Sequence, residues 1–354
     1  MRIAQISTLN TPVCRENSDS VESLVWLLTR ELTCLGHEVT VFAAAGSDTF
    51  GELVDTLPGP YASAGCPGDW RLCEWINLCR AIEQSWRFDV LHSHANLWGL
   101  PLQALSQAPM VHTMHVCPYE DDACLWSMMP ESFVTAISKY QWSAYPHLRP
   151  STVIYHAVDP SQFTLQLQAE DYVCYLGRFT SGKGPLLAIA TARTLGLKLL
   201  IAGPADAYYE RYVKPLVDGS SVEYVGYVSG PERDRLLGGA RALLYPIQAP
   251  EPFGLVLVEA MMCGTPVVGM RLGAVPEIVD EGITGYCADT KADFALEVLH
   301  SFTLDRLRVR QRAEERFSVD RMTRQYLKVY EELAHNHQQR PTSSEMGPQL
   351  VSSR

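Results

Sequence analysis

The residues best able to do chemistry lie in Glu251-Pro252-Phe253-Gly254-Leu255-Val256-Leu257-Val258-Glu259, two carboxylates eight positions apart around a helix start. Pro suits the first turn of a helix, and glycine lets a ligand approach the backbone. The free amides of Phe253, Gly254, Leu255 and Val256 then aim donors and the positive end of the helix dipole outward, which is an anion site. Glu259, one to two turns inside the helix, can accept a pair of hydroxyl hydrogen bonds such as a ribose diol offers. Two carboxylates also suggest a glycosidase. At helical rise, however, eight positions separate them by about 12 Å, beyond the roughly 5 to 9.5 Å of hydrolytic pairs.

A second basic segment, Gly177-Arg178-Phe179-Thr180-Ser181-Gly182-Lys183-Gly184-Pro185, sets two cations on a glycine-containing loop ahead of a helix, a receptor for a phosphate or diphosphate. It lacks the GxxxxGK[ST] spacing of a P-loop. His94 closes Asp89-Val90-Leu91-His92-Ser93-His94, and His115 closes His112-Thr113-Met114-His115. Zinc binding by His112, His115, Cys117 and Cys124 is disfavoured, because zinc ligands show tighter paired spacing than these residues do after a strand. His115 reads instead as lining a cleft or as packing.

These residues need strands and helices to hold them. Short apolar runs at 3–7, 38–43, 89–92, 110–113 and 152–155 read as strands, with an amphipathic helix over 21–34. The rhythm restarts with strands at 172–176, 198–201, 222–225, 242–245 and 266–269 and helices at 186–195, 232–238 and 255–262. A repeated βαβ rhythm predicts parallel sheets covered on both faces, here two Rossmann-like doubly wound domains facing across a cleft, an α/β fold. The expected domains are 1–160 and 161–318, joined near 158–168. A helix over 319–335 crosses back to the first domain, and a polar, disordered tail occupies 336–354.

The 354 residues carry 29 basic and 40 acidic side chains, a formal charge of −11, which opposes a nucleic-acid partner. Residues 1–150 hold 8 basic and 16 acidic residues, so −8 of that charge belongs to the first half. The sequence has no run of about 18 apolar residues and opens on a strand-like segment, so a cytoplasmic protein without strong membrane association is expected. The ten cysteines are scattered without CxxC pairs, which suits reduced thiols.

The sequence resembles the retaining glycosyltransferases of the large family 4 group, which have the GT-B fold. The resemblance rests on the E-x7-E segment, the Arg178/Lys183 loop, Gly36-His37-Glu38-Val39, Asp89 to His94, and Ala260-Met261-Met262-Cys263-Gly264-Thr265-Pro266 followed by Gly273-Ala274-Val275-Pro276-Glu277. It implies hexosyl transfer from a nucleotide diphosphate sugar, most often a UDP-sugar, by attack on the face the leaving group departs from. Neither a metal nor a further cofactor is implied. Arg178 and Lys183 would neutralise the diphosphate, Glu259 hold the ribose, and Glu251 with the Phe253 to Val256 backbone grip the sugar and distal phosphate. His94 would stand near the donor sugar. Gly203, Tyr227 and Val228 complete the donor side, with the base near Gly226-Tyr227-Val228. Antibiotic-pathway sugar transferases are the nearest kin implied.

One departure stands out. The glycine pair usual ahead of the first helix is replaced by Asn17-Ser18-Asp19-Ser20, so Ser18, Asp19 and Ser20 become acceptor-side candidates, with His115. His156 stands where the family commonly has Asn-Gly before Val-Asp. In such a fold the acidic first domain receives the acceptor, so a soluble neutral or cationic acceptor is expected, such as an amino sugar, aminocyclitol or secondary metabolite, with Glu120, Asp121 and Asp122 as cation contacts. The acidic pair 121–122 reads as a solvated turn. A monomer or homodimer is expected. A sugar-nucleotide epimerase, a phosphorylase and a non-catalytic sugar-nucleotide binder are the competing readings.

Overall fold

The structure, a computed structural model, describes residues 1–15, 20–61 and 63–339. Its first half contains β1 (Arg2–Ile6), α1 (Ser20–Cys34), β2 (Glu38–Ala44), β3 (Glu52–Leu57), α2 (Trp70–Glu83), β4 (Val90–Ser93), β5 (Met110–Thr113), α3 (Glu120–Ser127), β6 (Phe133–Ala136) and β7 (Thr152–Val153). The second half contains β8 (Val173–Leu176), α4 (Pro185–Leu195), β9 (Leu199–Ala202), β10 (Val222–Tyr224), α5 (Gly230–Gly239), β11 (Leu243–Tyr245), α6 (Leu255–Met262), β12 (Val267–Met270), α7 (Val275–Ile278), β13 (Gly285–Ala288), α8 (Lys291–Ser301), α9 (Arg306–Phe317) and α10 (Val319–Gln338).

The strands form two sheets, ordered β3-β2-β1-β4-β5-β6-β7 and β10-β9-β8-β11-β12-β13, and their pairings are parallel. Central strands such as Val90–Ser93 and Val267–Met270 are buried throughout, as strands covered by helices on both faces must be. Each order reverses once, between β1 and β4 and between β8 and β11. Crevices open at such reversals, beyond the carboxyl ends of the strands, and the loops after β4, β8 and β11 carry His94, Arg178 and Glu251.

α10 leaves the second half and packs on the first. Its Val319, Met322, Tyr326, Val329 and Tyr330 share a core with Leu24, Leu28 and Leu32 of α1. Burying each large side chain contributes about 1.5–3 kcal/mol, so the helix is a structural part of that domain. The halves also meet where Val158 bridges Ser318 and where Glu277 of α7 accepts the amides of Lys139 and Tyr140, while Arg30 of α1 pins the hinge residue Asp159 at 2.6 Å.

Two stretches differ from the sequence reading. Asp121 and Asp122 belong to the first turn of α3, where carboxylates favour a helix start, and Asp122 accepts the Tyr119 amide at 2.9 Å. The segment 45–83, left unassigned by periodicity, contains β3 and α2. Residues 336–338 continue α10, and the rest of the expected tail from 340 lies outside the described residues.

Candidate active site

On the C-terminal side the loop after β8 and the start of α6 converge. Lys183 lies 2.5 Å from Glu251 Oε1, and Tyr245 at the end of β11 donates to Glu251 Oε2 at 2.5 Å. Glu251 therefore has both oxygens engaged, while the Lys183 ammonium keeps donors for a further anion. The Lys183 ammonium also lies 5.9 Å from the Tyr245 ring centroid, and burial beside Glu251 drives the Tyr245 phenol well above its ordinary range, keeping it a donor. Gly184 is required here: at φ +69° its position would set a Cβ 1.9 Å from the Pro246 carbonyl oxygen. Gly273 holds Glu251 from the other side, where a Cβ would meet Glu251 N at 2.4 Å.

Arg178 is exposed and makes no ion pair among the described residues; the Tyr175 hydroxyl donates to its carbonyl at 2.8 Å. Gly254 opens α6 at φ +99°, and the amides of Phe253, Gly254, Leu255 and Val256 have no acceptor among the described residues. Glu259 sits inside α6 and meets Arg233 of α5, whose guanidinium donates to Oε1 at 2.9 Å. Burial raises the Glu259 carboxyl, and Arg233 opposes that rise. Arg233 was not legible from sequence, because its partner comes from a different helix. Gly203 packs on Gly177, where a Cβ would approach the Gly177 oxygen to 2.1 Å, and its amide donates to the Gly226 carbonyl at 3.0 Å, which brings Tyr227 and Val228 beside the loop after β8.

Across the cleft lies a buried chain of imidazoles. His94 Nε2 is 2.9 Å from Gln5 Oε1, His94 Nδ1 3.0 Å from His115 Nε2, and His115 Nδ1 3.2 Å from His156 Nε2. Burial pushes His94, His115 and His156 down, His156 to about 3, so the rings are neutral and each carries one N–H. The Gln5 amide donates to Tyr330 at 3.1 Å, so its carbonyl must accept from His94. His94 Nδ1 must then accept from His115, and His115 Nδ1 from His156. The chain has one direction, and it ends at His156 Nδ1, a buried lone pair without a donor among the described residues. Beyond it, Phe253 ahead of α6 stands edge-on to the His156 ring at 5.3 Å. His92 extends the network backwards, through Tyr330 at 2.6 Å and Thr113 at 2.7 Å.

Both nitrogens of His94 and of His115 are thus consumed. The sequence reading placed His94 beside the donor sugar; the structure gives its nitrogens to Gln5 and His115. His112 turns away and bonds Gln103 at 3.3 Å, and no group of three His, Cys, Asp or Glu among the described residues could hold a metal ion. Cys117 lies near enough to Glu251 for that carboxylate to add to the effect of burial in raising its thiol.

Next to His94 and His115 opens a cavity of about 250 Å³, lined also by Glu22, Tyr61, Trp70, Glu74, Asn96 and Trp98. Glu22 of α1 accepts from the Thr8 hydroxyl at 2.8 Å and the Asn10 amide at 3.1 Å, which shapes the loop after β1. Asn96 sits at φ 50°, a costly conformation that asparagine tolerates better than most residues. Ser18 and Asp19 lie outside the described residues, and Ser20 begins α1. Glu120 is exposed at the start of α3 and does not line the cavity.

Two parallel sheets of like order, meeting at their reversals, define the GT-B architecture. The chain matches the family described as Glycosyltransferase Family 4 over residues 21–162 and that described as Glycosyl transferases group 1 over residues 161–316, and it belongs to these glycosyltransferases. It is 36% identical over 96 residues to N-acetyl-alpha-D-glucosaminyl L-malate synthase of Bacillus anthracis, covering 25% of each chain. It is 26% identical over 272 residues to D-inositol 3-phosphate glycosyltransferase of Pseudarthrobacter chlorophenolicus, covering 62% of this chain and 63% of that one. The chain therefore spans less than two thirds of these first curated relatives. Among solved structures it is similar to AviGT4, a glycosyltransferase involved in avilamycin A biosynthesis, at 26% identity and a TM-score of 0.72, covering 94% of this chain and 98% of that one. Anabaena HepE in complex with UDP and glucose shares the fold at 17% identity and a TM-score of 0.70, covering 94% and 100%.

Proposed function

We propose that the protein is a retaining hexosyltransferase that moves a sugar from a nucleoside diphosphate, UDP, to a hydroxyl of a small acceptor. The observation that carries this reading is the Tyr245–Glu251–Lys183 cluster beside the unpartnered amides at the start of α6, set across a cleft from the cavity beside His94 and His115. Departure of a nucleoside diphosphate builds negative charge on its bridging oxygen. Lys183 and the α6 amides are already held where they can meet it, Arg178 on the same loop as Lys183 is free to turn toward it, and preorganised donors are worth about 10²–10³ in rate each. Glu251, fixed by Lys183 and Tyr245, presents an oriented carboxylate to sugar hydroxyls, and Glu259 with Arg233 suits the ribose.

Retention is assigned to attack by the acceptor on the face the diphosphate leaves, with the diphosphate taking the acceptor's proton. His94 and His115 act by position: their nitrogens hold one another and the cleft wall. HepE's complex with UDP supports a uridine donor by likeness of fold.

Incubation with UDP-, GDP- and dTDP-sugars tests the reading. One nucleotide should raise the melting temperature, and its sugar should be slowly hydrolysed with the anomeric configuration kept, as read by NMR. Acceptor-independent release of an isomerised sugar nucleotide would instead indicate an epimerase, and no binding of any of the three would end the proposal.

A further inference from the structure

The cavity next to His94 has a chemistry of its own. α2 presents Trp70 and Glu74 one turn apart, so both face the same way. The Trp70 indole is half exposed, stacked on Trp98 with centroids 5.0 Å apart and a 25° interplanar angle, and Tyr61 tilts against it at 6.0 Å. This is a rigid aromatic shelf with one face open. Glu74 is 2% exposed. Its Oε1 takes the Tyr61 hydroxyl and the Leu9 amide, while Oε2 is buried without a partner among the described residues. An orphaned, buried carboxylate oxygen, here on a side chain that lines a cavity, is costly unless something donates to it.

The rest of the lining narrows what that donor can be. Glu22 adds a second carboxylate, Thr8 and Asn10 add neutral polar groups, His94 and His115 are neutral, and among the described residues neither Lys nor Arg lines the cavity. A phosphate or carboxylate would enter with no counter-charge. An ammonium would supply the missing donor to Glu74 and could also lie against the aromatic face.

We propose that this cavity is the acceptor site and that its acceptor is a polyhydroxylated ring bearing a protonated amine, the amine pairing with Glu74 Oε2 and the apolar face of the ring lying on Trp70. The proposal rests on the transferase reading above. It gives α2 the selection of the acceptor and leaves the donor chemistry to the other domain. The raised Glu74 carboxyl, about 7 through burial, is the cost that a bound cation would relieve.

The test uses the full chain saturated with UDP, titrated by ligand-observed NMR with glucosamine, glucose and glucose 6-phosphate at pH 7. Glucosamine should bind at least tenfold more tightly than glucose, and glucose 6-phosphate more weakly than either. Glu74→Gln should bring glucosamine down to the level of glucose. Trp70→Ala, at an exposed position that does not threaten folding, should weaken both sugars alike. Equal binding of the three, preference for the phosphate, no binding of glucosamine, or a glucosamine preference that survives Glu74→Gln would overturn the proposal. UDP binding is measured first in the same samples, so failure of the donor reading appears separately from failure at the cavity.

Discussion

The two walls of the cleft solve the placement of polar groups in opposite ways. The C-terminal wall uses charge: Lys183, Glu251, Arg233 and Glu259 are partly exposed and paired, and they sit on two loops and two helices. The N-terminal wall uses neutrality: Gln5, His94, His115 and His156 are buried and joined in one directional chain of hydrogen bonds that leaves only its end, His156 Nδ1, without a partner among the described residues, with aromatic rings and Glu74 beside it. Charged groups at a surface can turn toward a charged ligand at little structural cost. Buried neutral groups hold a shape and lose it if one member is removed. Activity and stability should therefore respond separately to substitutions on the two walls.

The largest effect is expected at Lys183. Lys183→Ala should lower kcat/KM by about 10³, the upper range for one preorganised donor, with little change in melting temperature because the pair it breaks is partly exposed. A variant that lost stability and kept activity would reverse the comparison.

Acid should act on the other wall. His112 and His156 titrate near 3 in the folded chain against 6.5 when exposed, so the unfolded state binds more protons between those values. Their stabilisation is complete above pH 6.5 and is lost as pH falls toward 3, on the order of 5 kcal/mol for each group. Urea unfolding at pH 7.5 and pH 5 should show a marked fall in stability, and equal midpoints would refute the neutral-imidazole assignment.

His115→Ala should cost about 2–4 kcal/mol, since it leaves His94 Nδ1 and His156 Nε2 buried without partners. Denaturation midpoints measure this; a loss of activity without loss of stability would mean that His115 acts on substrate directly.

The smallest effect has the opposite sign. Glu74 is raised from 4.5 to about 7, so the folded state binds the extra proton and stability falls as pH rises through that window. The stability of Glu74→Gln relative to wild type should improve by about 2–3 kcal/mol between pH 4.5 and pH 8. A difference independent of pH would place Glu74 in a polar setting.

The C-terminal wall was largely legible from the chain. The helix expected over 255–262 is α6, and the loop expected to hold Arg178 and Lys183 lies between β8 and α4. Both are local: a strand, a glycine turn and a helix start within about a dozen residues. Neither β3 nor α2 was legible. The segment before α2 is rich in Gly, Pro and Ser, and Trp70-Arg71-Leu72-Cys73-Glu74-Trp75 mixes polar and aromatic residues without a clean period. Trp70 and Glu74 were missed with it. His156 was visible only as an odd residue at a hinge, and its place as the end of the imidazole chain depends on neighbours 41 and 62 positions away.

By itself, then, the sequence determined the alternating strands and helices, the glycines that shape the loop after β8, and the cations and carboxylates beside them, because backbone conformation and helix ends are set over a few residues. Only the tertiary structure decided that Lys183 meets Glu251, that Arg233 meets Glu259, that Gln5, His94, His115 and His156 form one wire, and that Glu74 faces a cavity with an unpartnered oxygen. Those outcomes depend on which distant side chains share a low-dielectric space, where an unpaired polar atom is expensive, and parallel strand order rather than chain order brings them together.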